Sequence, residues 1–440
     1  MPEKQNHRTL WLGALVLFAV NVLNFYDRHV PAALVEPLRR EFHLTDTQNG
    51  LLSSAFVWIY AIVGVPIGRL ADTWSRKKLL AAAVFVWCSL TAVAGLASGF
   101  ALLLVSRLGV GVGEAGCAPA GTSWLGDLFP AQRRSRALAF FMLGVPLGGA
   151  LGFFFTGPIA QAHGWRVAMA AAAAPGLLLI PLLLLLREPV RGAGEAQPSA
   201  SGGGSAWKVL RMRTFWWIIL SGAFLNFNMY VIGTFLPAFF SRVHGLTLAS
   251  STTASGFVLL VGGLGGGLVG GQLGDYAFRI RAGGRLLASA FLALLAVPLA
   301  LGGILQPRGS LRLAVLLLIF VYGTLTTYYG LVYSSLHDVV APRHRATALA
   351  VYFLGMYLGG GSYGPLVAGK LSDYFAHRAA TLAGTGAITE AFRASGLQQA
   401  MLVIPALCVP LAFVLYMGSR SIGADIARRQ ATETADAEGD

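Results

Sequence analysis

Four charged residues interrupt the long apolar runs of this sequence: Asp27, Arg28, Arg107 and Glu114. An ionised side chain in hydrocarbon costs at least about 2.5–3.5 kcal/mol, so such residues usually face the interior of a bundle and have a partner. A carboxylate that alternates between an arginine and a dry pocket changes its affinity for protons. These residues are therefore candidates for reversible proton binding. The alternative is a fixed ion network that only packs two helices together.

Helical geometry predicts which of these groups can meet. Asp27 and Arg107 fall at matching depths of two helices that run in opposite directions, so they could pair. Glu114 follows Arg107 by nearly two turns, which places it on the same helix face and close to the middle of the membrane.

The elements that must position these charges are membrane-spanning helices. Of the 440 residues, 55% are hydrophobic and only 12% are charged, more apolar surface than a soluble protein of this size could bury. A spanning helix needs about 20 mostly apolar residues. That rule predicts an all-α integral membrane protein with twelve spans, at residues 10–35, 50–71, 79–97, 101–126, 137–160, 167–186, 215–239, 253–274, 286–305, 311–337, 346–371 and 397–417.

The distribution of basic residues predicts the orientation. With the N-terminus inside, the cytoplasmic segments carry more than twice as many Lys and Arg residues as the outer ones, as the positive-inside rule requires. This bias also accounts for the net charge of +14 without nucleic-acid binding. We expect an N-terminal bundle at 1–187, a flexible cytoplasmic linker at 188–212, a C-terminal bundle at 213–419 and a disordered cytoplasmic tail at 420–440.

The two halves resemble each other in sequence. Residues 127–149 align without gaps on residues 338–360, and ten of these 23 positions are identical. The run Gly68-Arg-Leu-Ala-Asp72 likewise resembles Gly271-Gln-Leu-Gly-Asp275. Both matches fall at equivalent places in a six-helix unit and include polar loops, which favours two pseudo-symmetric six-helix bundles.

A loop motif adds a family resemblance. Gly68-Arg-Leu-Ala-Asp72-Thr-Trp-Ser-Arg76-Lys-Lys resembles the signature between helices two and three of the major facilitator superfamily. That resemblance implies a conformational latch formed by Gly68, Asp72 and Arg76, with Asp275 as a degenerate copy. Thr73 and Ser75 depart from the family pattern and imply a weaker latch. The alternative is a charged loop that only enforces topology.

Two further motifs narrow the resemblance. Asn24-Phe-Tyr-Asp27-Arg28 and Arg107-Leu-Gly-Val-Gly-Val-Gly-Glu114-Ala are similar to motifs of the spinster-like lysolipid transporters and of the anion:cation symporters for sugar acids. The run Ser123-Trp-Leu-Gly-Asp-Leu-Phe-Pro130 is more similar to the spinster-like branch. The resemblance implies proton coupling at Asp27 and Glu114, with Arg28 and Arg107 in the same network or on the anionic group of a ligand.

The C-terminal half lacks such charges but carries hydroxyls and amides within its predicted spans. These could line an amphipathic cavity, although buried Tyr and Asn often only bond neighbouring backbone. The candidates are Asn226, Asn228, Tyr230, Thr326, Tyr329, Tyr333, Tyr357 and Tyr363.

Other functions find little support in the sequence. The three cysteines lie in apolar runs without paired spacing, and the histidines show no metal-ligand spacing, so we expect no metal and no cofactor. The glycine run 109–113 lies inside an apolar run and predicts close helix packing rather than nucleotide binding. No Walker motif and no nucleophile–base pair is present, so the sequence favours neither an ATP-driven pump nor a membrane enzyme. The duplicated halves disfavour a channel or receptor.

The resemblance thus implies a secondary transporter, not an enzyme, that couples protons to the movement of an amphipathic or organic-anion substrate. A proton symporter for sugar acids or aromatic carboxylates is the alternative within the same fold. We expect a monomer in the inner membrane with both termini in the cytoplasm.

Overall fold

In the computed structural model the chain is almost entirely helical, and the structure describes residues 7–191, 210–340 and 345–438. The helices of these residues are α1 (His7–Ala33), α2 (Val35–Phe42), α3 (Asp46–Thr73), α4 (Arg76–Ala94), α5 (Phe100–Glu114), α6 (Cys117–Leu128), α7 (Ala131–Met142), α8 (Gly144–His163), α9 (Trp165–Leu185), α10 (Arg213–His244), α11 (Leu248–Ile280), α12 (Gly284–Ile304), α13 (Leu311–Val339), α14 (Arg345–Met356), α15 (Gly364–Leu382), α16 (Glu390–Met401) and α17 (Val403–Glu438).

The described residues contain eleven helices that are long and apolar enough to cross a membrane. The remaining predicted span, 346–371, is divided into α14 and α15 by a π-helix at Tyr357–Gly361. A π-turn takes up one extra residue and commonly marks a functional region of a helix. The predicted spans are therefore mainly helical, and others also contain a junction between two helices, such as 101–126 between α5 and α6 and 137–160 between α7 and α8.

One prediction about the polar segments needs correction. The expected disorder of residues 420–440 is wrong as far as Glu438, because α17 continues through this segment. Asp425 accepts a hydrogen bond from the backbone N–H of Thr214 at 3.1 Å, and Arg429 donates to the carbonyl of Asp338 at 2.8 Å. These bonds anchor the extension to the ends of α10 and α13. Residues 192–209 of the predicted linker lie outside the described residues.

Contacts divide the described residues into two compact units. The N-terminal unit comprises the described residues of Met1–Ser199, Thr234–Ser241 and Leu246–Gly256. The C-terminal unit comprises the described residues of Ala200–Gly233, Arg242–Gly245 and Phe257–Asp440.

Glycines bring the first helix close to its neighbour in the N-terminal unit. A Cβ at Gly152 of α8 would lie 2.7 Å from the carbonyl oxygen of Tyr26 in α1, and one at Gly148 would overlap the carbonyl oxygen of Val22. Small residues at this spacing allow two helix backbones to touch. The position of Asp27 and Arg28 is therefore fixed by a seam of backbone contacts.

The fourth predicted span is held in the same way. A Cβ at Gly111 of α5 would lie 2.9 Å from the carbonyl oxygen of Phe56 in α3, and one at Gly113 would lie 3.0 Å from the backbone nitrogen of Trp87 in α4. The prediction that this glycine run serves helix packing is confirmed. Glu114 follows directly at the last residue of α5.

Candidate functional site

The centre of the N-terminal unit contains an ion pair between α1 and α5. Arg28 donates from Nε to Oε2 of Glu114 at 2.8 Å, and the two side chains are 8% and 0% exposed. A charge-assisted hydrogen bond in so dry a place is strong, and each group would be costly to leave alone. The structure thus brings together two of the four predicted residues in one direct contact.

Asp27 and Arg107 complete the cluster without bonding to each other. Thr91 of α4 donates its hydroxyl to Oδ2 of Asp27 at 2.8 Å, and Asp27 is fully buried. Arg107 is also buried, and its guanidinium lies 4.9 Å from the ring centroid of Phe56. Arg107 interacts electrostatically with both carboxylates. The suggested pair of Asp27 and Arg107 is therefore replaced by a looser grouping, because Thr91 and Phe56 hold the two side chains.

The cluster has the composition that a proton site requires. Two carboxylates and two guanidiniums share one buried region, and Oδ1 of Asp27 accepts no hydrogen bond from any described residue. A buried acceptor without a partner raises the free energy of the ionised form relative to the protonated one. Such an arrangement can bind a proton on a carboxylate or an anion on an arginine.

Aromatic rings around Arg28 were not predicted from the sequence. The guanidinium carbon lies 4.5 Å from the ring centroid of Phe25, 5.4 Å from that of Phe56 and 4.4 Å from that of Tyr60. Phe56 and Tyr60 are one turn apart on α3 and stack at 5.8 Å. No charge or motif singled out Phe56 or Tyr60, so only the structure shows that this part of α3 borders the site.

The loop between α3 and α4 differs from the predicted latch. Asp72 is exposed in the last turn of α3, and no described residue forms an ion pair with it. Arg76 is fully buried and instead pairs with Asp127 at 2.5 Å and with Glu188 at 3.1 Å. The predicted pairing of Asp72 with Arg76 is not formed, because Arg76 begins α4 and points towards the end of α6. A Cβ at Gly68 would meet nothing within 4 Å.

Glu188 and Arg191, just beyond α9, close over this loop. Glu188 accepts hydrogen bonds from the Ser75 hydroxyl at 2.6 Å and from the Arg76 backbone N–H at 2.8 Å. Arg191 donates to the carbonyl of Ala71 at 2.9 Å. A carboxylate at a helix N-terminus and an arginine at a helix C-terminus both suit the helix dipole. Burial by itself would raise the pKa of Glu188, but these hydrogen bonds outweigh it and hold that pKa below its usual value.

The C-terminal unit repeats part of this arrangement. Arg285, in the first turn of α12, pairs with Asp338 near the end of α13 at 2.5 Å. Asp338 is the residue that the sequence alignment places opposite Asp127. Asp275 lies 4.0 Å from Arg285 and is mostly exposed. The duplication inferred from sequence therefore includes a repeated ion pair.

A close glycine contact between α10 and α15, like that between α1 and α8, identifies the C-terminal counterpart of Asp27. A Cβ at Gly364 would lie 2.6 Å from the carbonyl oxygen of Phe227, as one at Gly152 would approach Tyr26. The next residue in α10 is Asn228, which is fully buried and donates to the carbonyl of Ile404 at 3.3 Å. A neutral amide thus occupies the position of the carboxylate, so the second unit cannot titrate there.

The remaining predicted cavity residues have three kinds of environment. Asn226 and Thr326 donate to backbone carbonyls of their own helices, at 3.0 and 2.6 Å. Tyr363 is 49% exposed. The other tyrosines belong to a continuous series of ring contacts that also includes the unpredicted Tyr328, Tyr352 and Phe353. The ring contacts, 5.6–6.4 Å between centroids, run from Tyr329 through Tyr333, Phe353 and Tyr357 to Tyr230.

Comparison with known proteins agrees with this architecture. The sequence profile of the Major Facilitator Superfamily matches residues 17–365. An "MFS-type efflux pump" of Mycolicibacterium smegmatis is 32% identical over 84% of this chain and 86% of that protein. Human "Protein spinster homolog 1" is 30% identical over 81% of this chain and 72% of that protein.

Solved structures give the same result. The crystal structure of a bacterial homologue of the human lysosomal transporter spinster, in an inward-facing and unoccupied conformation, superposes with a TM-score of 0.85. It is 27% identical and covers 96% of this chain and 99% of its own. A D-xylose–proton symporter shares the fold, with a TM-score of 0.70 at 16% identity. The predicted twelve-helix fold and the predicted resemblance are both confirmed. The chain therefore belongs to the Major Facilitator Superfamily of membrane transporters, within which it is similar to the spinster proteins.

Proposed function

We propose that this protein is a proton-coupled secondary transporter of an amphipathic organic substrate, and that Asp27 and Glu114 bind the coupling protons. The observation that carries the proposal is the buried bond between Arg28 and Glu114, 2.8 Å long and formed across two helices of one unit. Two charges so far from water would be replaced at little cost by apolar residues if they served only packing. A role in binding explains their presence better.

The coupling follows from competition for the same carboxylate. While Glu114 is ionised, it holds Arg28. When a proton neutralises Glu114, Arg28 loses its charged partner and becomes available to the anionic group of a substrate, with Arg107 nearby. Proton occupancy and substrate binding are then linked, and a proton gradient can bias which state of the transporter is populated.

Several observations support an amphipathic substrate. The rings of Tyr230, Tyr333 and Tyr357 give the second unit an aromatic surface with polar hydroxyls, which suits an apolar tail beside a polar group. A zebrafish relative, 26% identical over 83% of this chain, is named a "Sphingosine-1-phosphate transporter". The name of the mycobacterial relative, an efflux pump, favours export as the direction.

We also propose that the protein lies in the inner membrane with both termini in the cytoplasm. The excess of Lys and Arg in the loops assigned to the cytoplasm favours this orientation. Each unit has an ion pair of its own, Arg28–Glu114 in the first and Arg285–Asp338 in the second, and we propose that the protein functions as a monomer.

Two linked experiments test the function. First, purified protein is screened by thermal shift against lysophospholipids, sphingoid lipids, sugar acids and aromatic acids. We expect stabilisation by the lipids, and stabilisation by sugar acids or aromatic acids alone would favour the symporter alternative. Second, uptake of the stabilising compound into proteoliposomes is measured with and without an imposed pH gradient. We expect the gradient to increase accumulation and a protonophore to abolish the increase. Equal accumulation in all three conditions would contradict proton coupling.

A further inference from the structure

The three aromatic rings around Arg28 come from two helices, and two of them lie on α3. Phe25 precedes Arg28 on α1, whereas Phe56 and Tyr60 contact the Arg28 guanidinium from the neighbouring helix α3. A guanidinium over the face of a ring is attracted to it, most strongly where water is excluded. The faces of the rings stabilise the cation while its Nε–H donates to Glu114.

Phe56 is shared by both arginines of the cluster. Its ring centroid lies 5.4 Å from the guanidinium carbon of Arg28 and 4.9 Å from that of Arg107. Two cations on one ring repel each other, and the nearby carboxylates of Asp27 and Glu114 offset that repulsion. The buried position of Phe56 therefore fixes how far apart the two arginines lie.

We propose that Phe56 and Tyr60 are positioning residues that hold the Arg28 guanidinium on Glu114 and thereby set the pH at which Glu114 takes up its proton. This inference rests on the proposed function, because it assigns a role towards the same proton site. Without either ring, Arg28 can adopt other side-chain conformations, and the ionised form of Glu114 loses part of its stabilisation. Glu114 then binds its proton at a higher pH.

Other groups close to Glu114 must be controlled in any test. The titratable and charged side chains that interact electrostatically with Glu114, Arg28 or Arg107 include Asp27 and His29 on α1, Tyr60 on α3, Cys88 on α4, Arg107 on α5 and Cys117 on α6. A substitution of Phe56 also removes the ring that Arg107 contacts, so Tyr60→Leu is needed beside it, and Tyr60→Phe removes only a hydroxyl.

The test does not require a known substrate. Infrared difference spectroscopy of the purified transporter, titrated from pH 5 to 9, follows the C=O band of protonated carboxylic acids. The part of that band that Glu114→Gln removes belongs to Glu114. We expect Phe56→Leu and Tyr60→Leu to raise the midpoint of this band by about one pH unit. Tyr60→Phe keeps the ring and should retain the wild-type midpoint.

A matched control separates positioning from general packing. Phe141 is buried in the same unit and contacts neither arginine as a ring partner, so Phe141→Leu should leave the midpoint unchanged. Because Tyr60 is only partly buried, Tyr60→Leu remains informative if Phe56→Leu does not fold. Wild-type midpoints in the folded leucine variants would overturn the positioning role alone. If the C=O band of Glu114→Gln were the same as that of the wild type, the proposed proton site itself would be contradicted.

Discussion

Asp27 and Arg28 are neighbours in the chain, yet their side chains bond to different helices: Asp27 to Thr91 of α4, and Arg28 to Glu114 of α5. Consecutive residues of an α-helix point about 100° apart, so two adjacent charged residues contact two different neighbouring helices. Tyr26, the residue before them, shares a hydrogen bond with Thr156 of α8 at 3.3 Å. One turn of α1 therefore connects three helices of the N-terminal unit.

This arrangement gives the proposed proton site two separable parts. Asp27 is held by a neutral hydroxyl, and Glu114 by a cation. The two carboxylates also repel each other when both are ionised, so protonation of one favours ionisation of the other. We expect them to titrate as a coupled pair.

Removal of Arg107 should stop transport without removing the protein from the membrane. Arg107 interacts electrostatically with both buried carboxylates and is proposed to help bind the anionic group of the substrate, so we expect Arg107→Ala to lower transport at least about tenfold. The measurement is uptake into proteoliposomes with equal amounts of reconstituted protein. Arg40→Ala, at an exposed arginine of α2, is the control and should transport normally. Normal activity of Arg107→Ala would reduce Arg107 to a packing residue.

A single methyl group in the seam between α1 and α8 should destabilise the protein. The Cβ of Gly148→Ala would overlap the carbonyl oxygen of Val22, and overpacking of this kind costs about 1–3 kcal/mol. We expect a lower apparent Tm and reduced transport. Gly126→Ala, where a Cβ would meet nothing within 4 Å, should match the wild type. Equal Tm values for the two variants would show that the seam tolerates a side chain.

The bonds of Glu188 should contribute to stability in a pH-dependent way. Its pKa in the folded protein lies below the reference value of 4.5. The contribution is therefore complete above about pH 4.5 and is lost as the pH falls through the lower folded value. We expect Glu188→Gln to destabilise the protein by about 1–3 kcal/mol at pH 7.

Thermal unfolding at several pH values checks this prediction. The difference in Tm between wild type and Glu188→Gln should be largest at pH 7 and should shrink towards pH 3. Glu390→Gln changes a mostly exposed carboxylate 3.9 Å from Arg393 and should have little effect at any pH. A difference that does not depend on pH would mean that Glu188 acts through its shape and not its charge.

The sequence predicts the spans and the charges because both are local properties. An apolar run of sufficient length must be a helix in a bilayer, and Asp27 or Glu114 inside such a run is visible without a structure. Depth follows from residue count, which is why the four charges were expected in one region. Rotation about the helix axis does not follow so closely, and for that reason the structure pairs Arg28 with Glu114, whereas the sequence suggested a pair of Asp27 and Arg107.

Other features depend on contacts that no local pattern encodes. Phe56 and Tyr60 are ordinary residues of an apolar helix until α3 is placed beside Arg28. Glu188 was assigned to a flexible linker, whereas Arg76 and Ser75 give it three hydrogen bonds. The segment after Ser419 is polar enough to suggest disorder, but Asp425 and Arg429 bond to α10 and α13.

The most direct test of the account compares two modes of transport in one variant. Glu114→Gln is reconstituted in proteoliposomes, and uptake of the stabilising compound is measured under a pH gradient and as exchange without a gradient. We predict that gradient-driven accumulation is lost while exchange persists, and that Asp27→Asn behaves in the same way. Accumulation at wild-type rates in both variants would contradict the assignment of the coupling protons to this cluster.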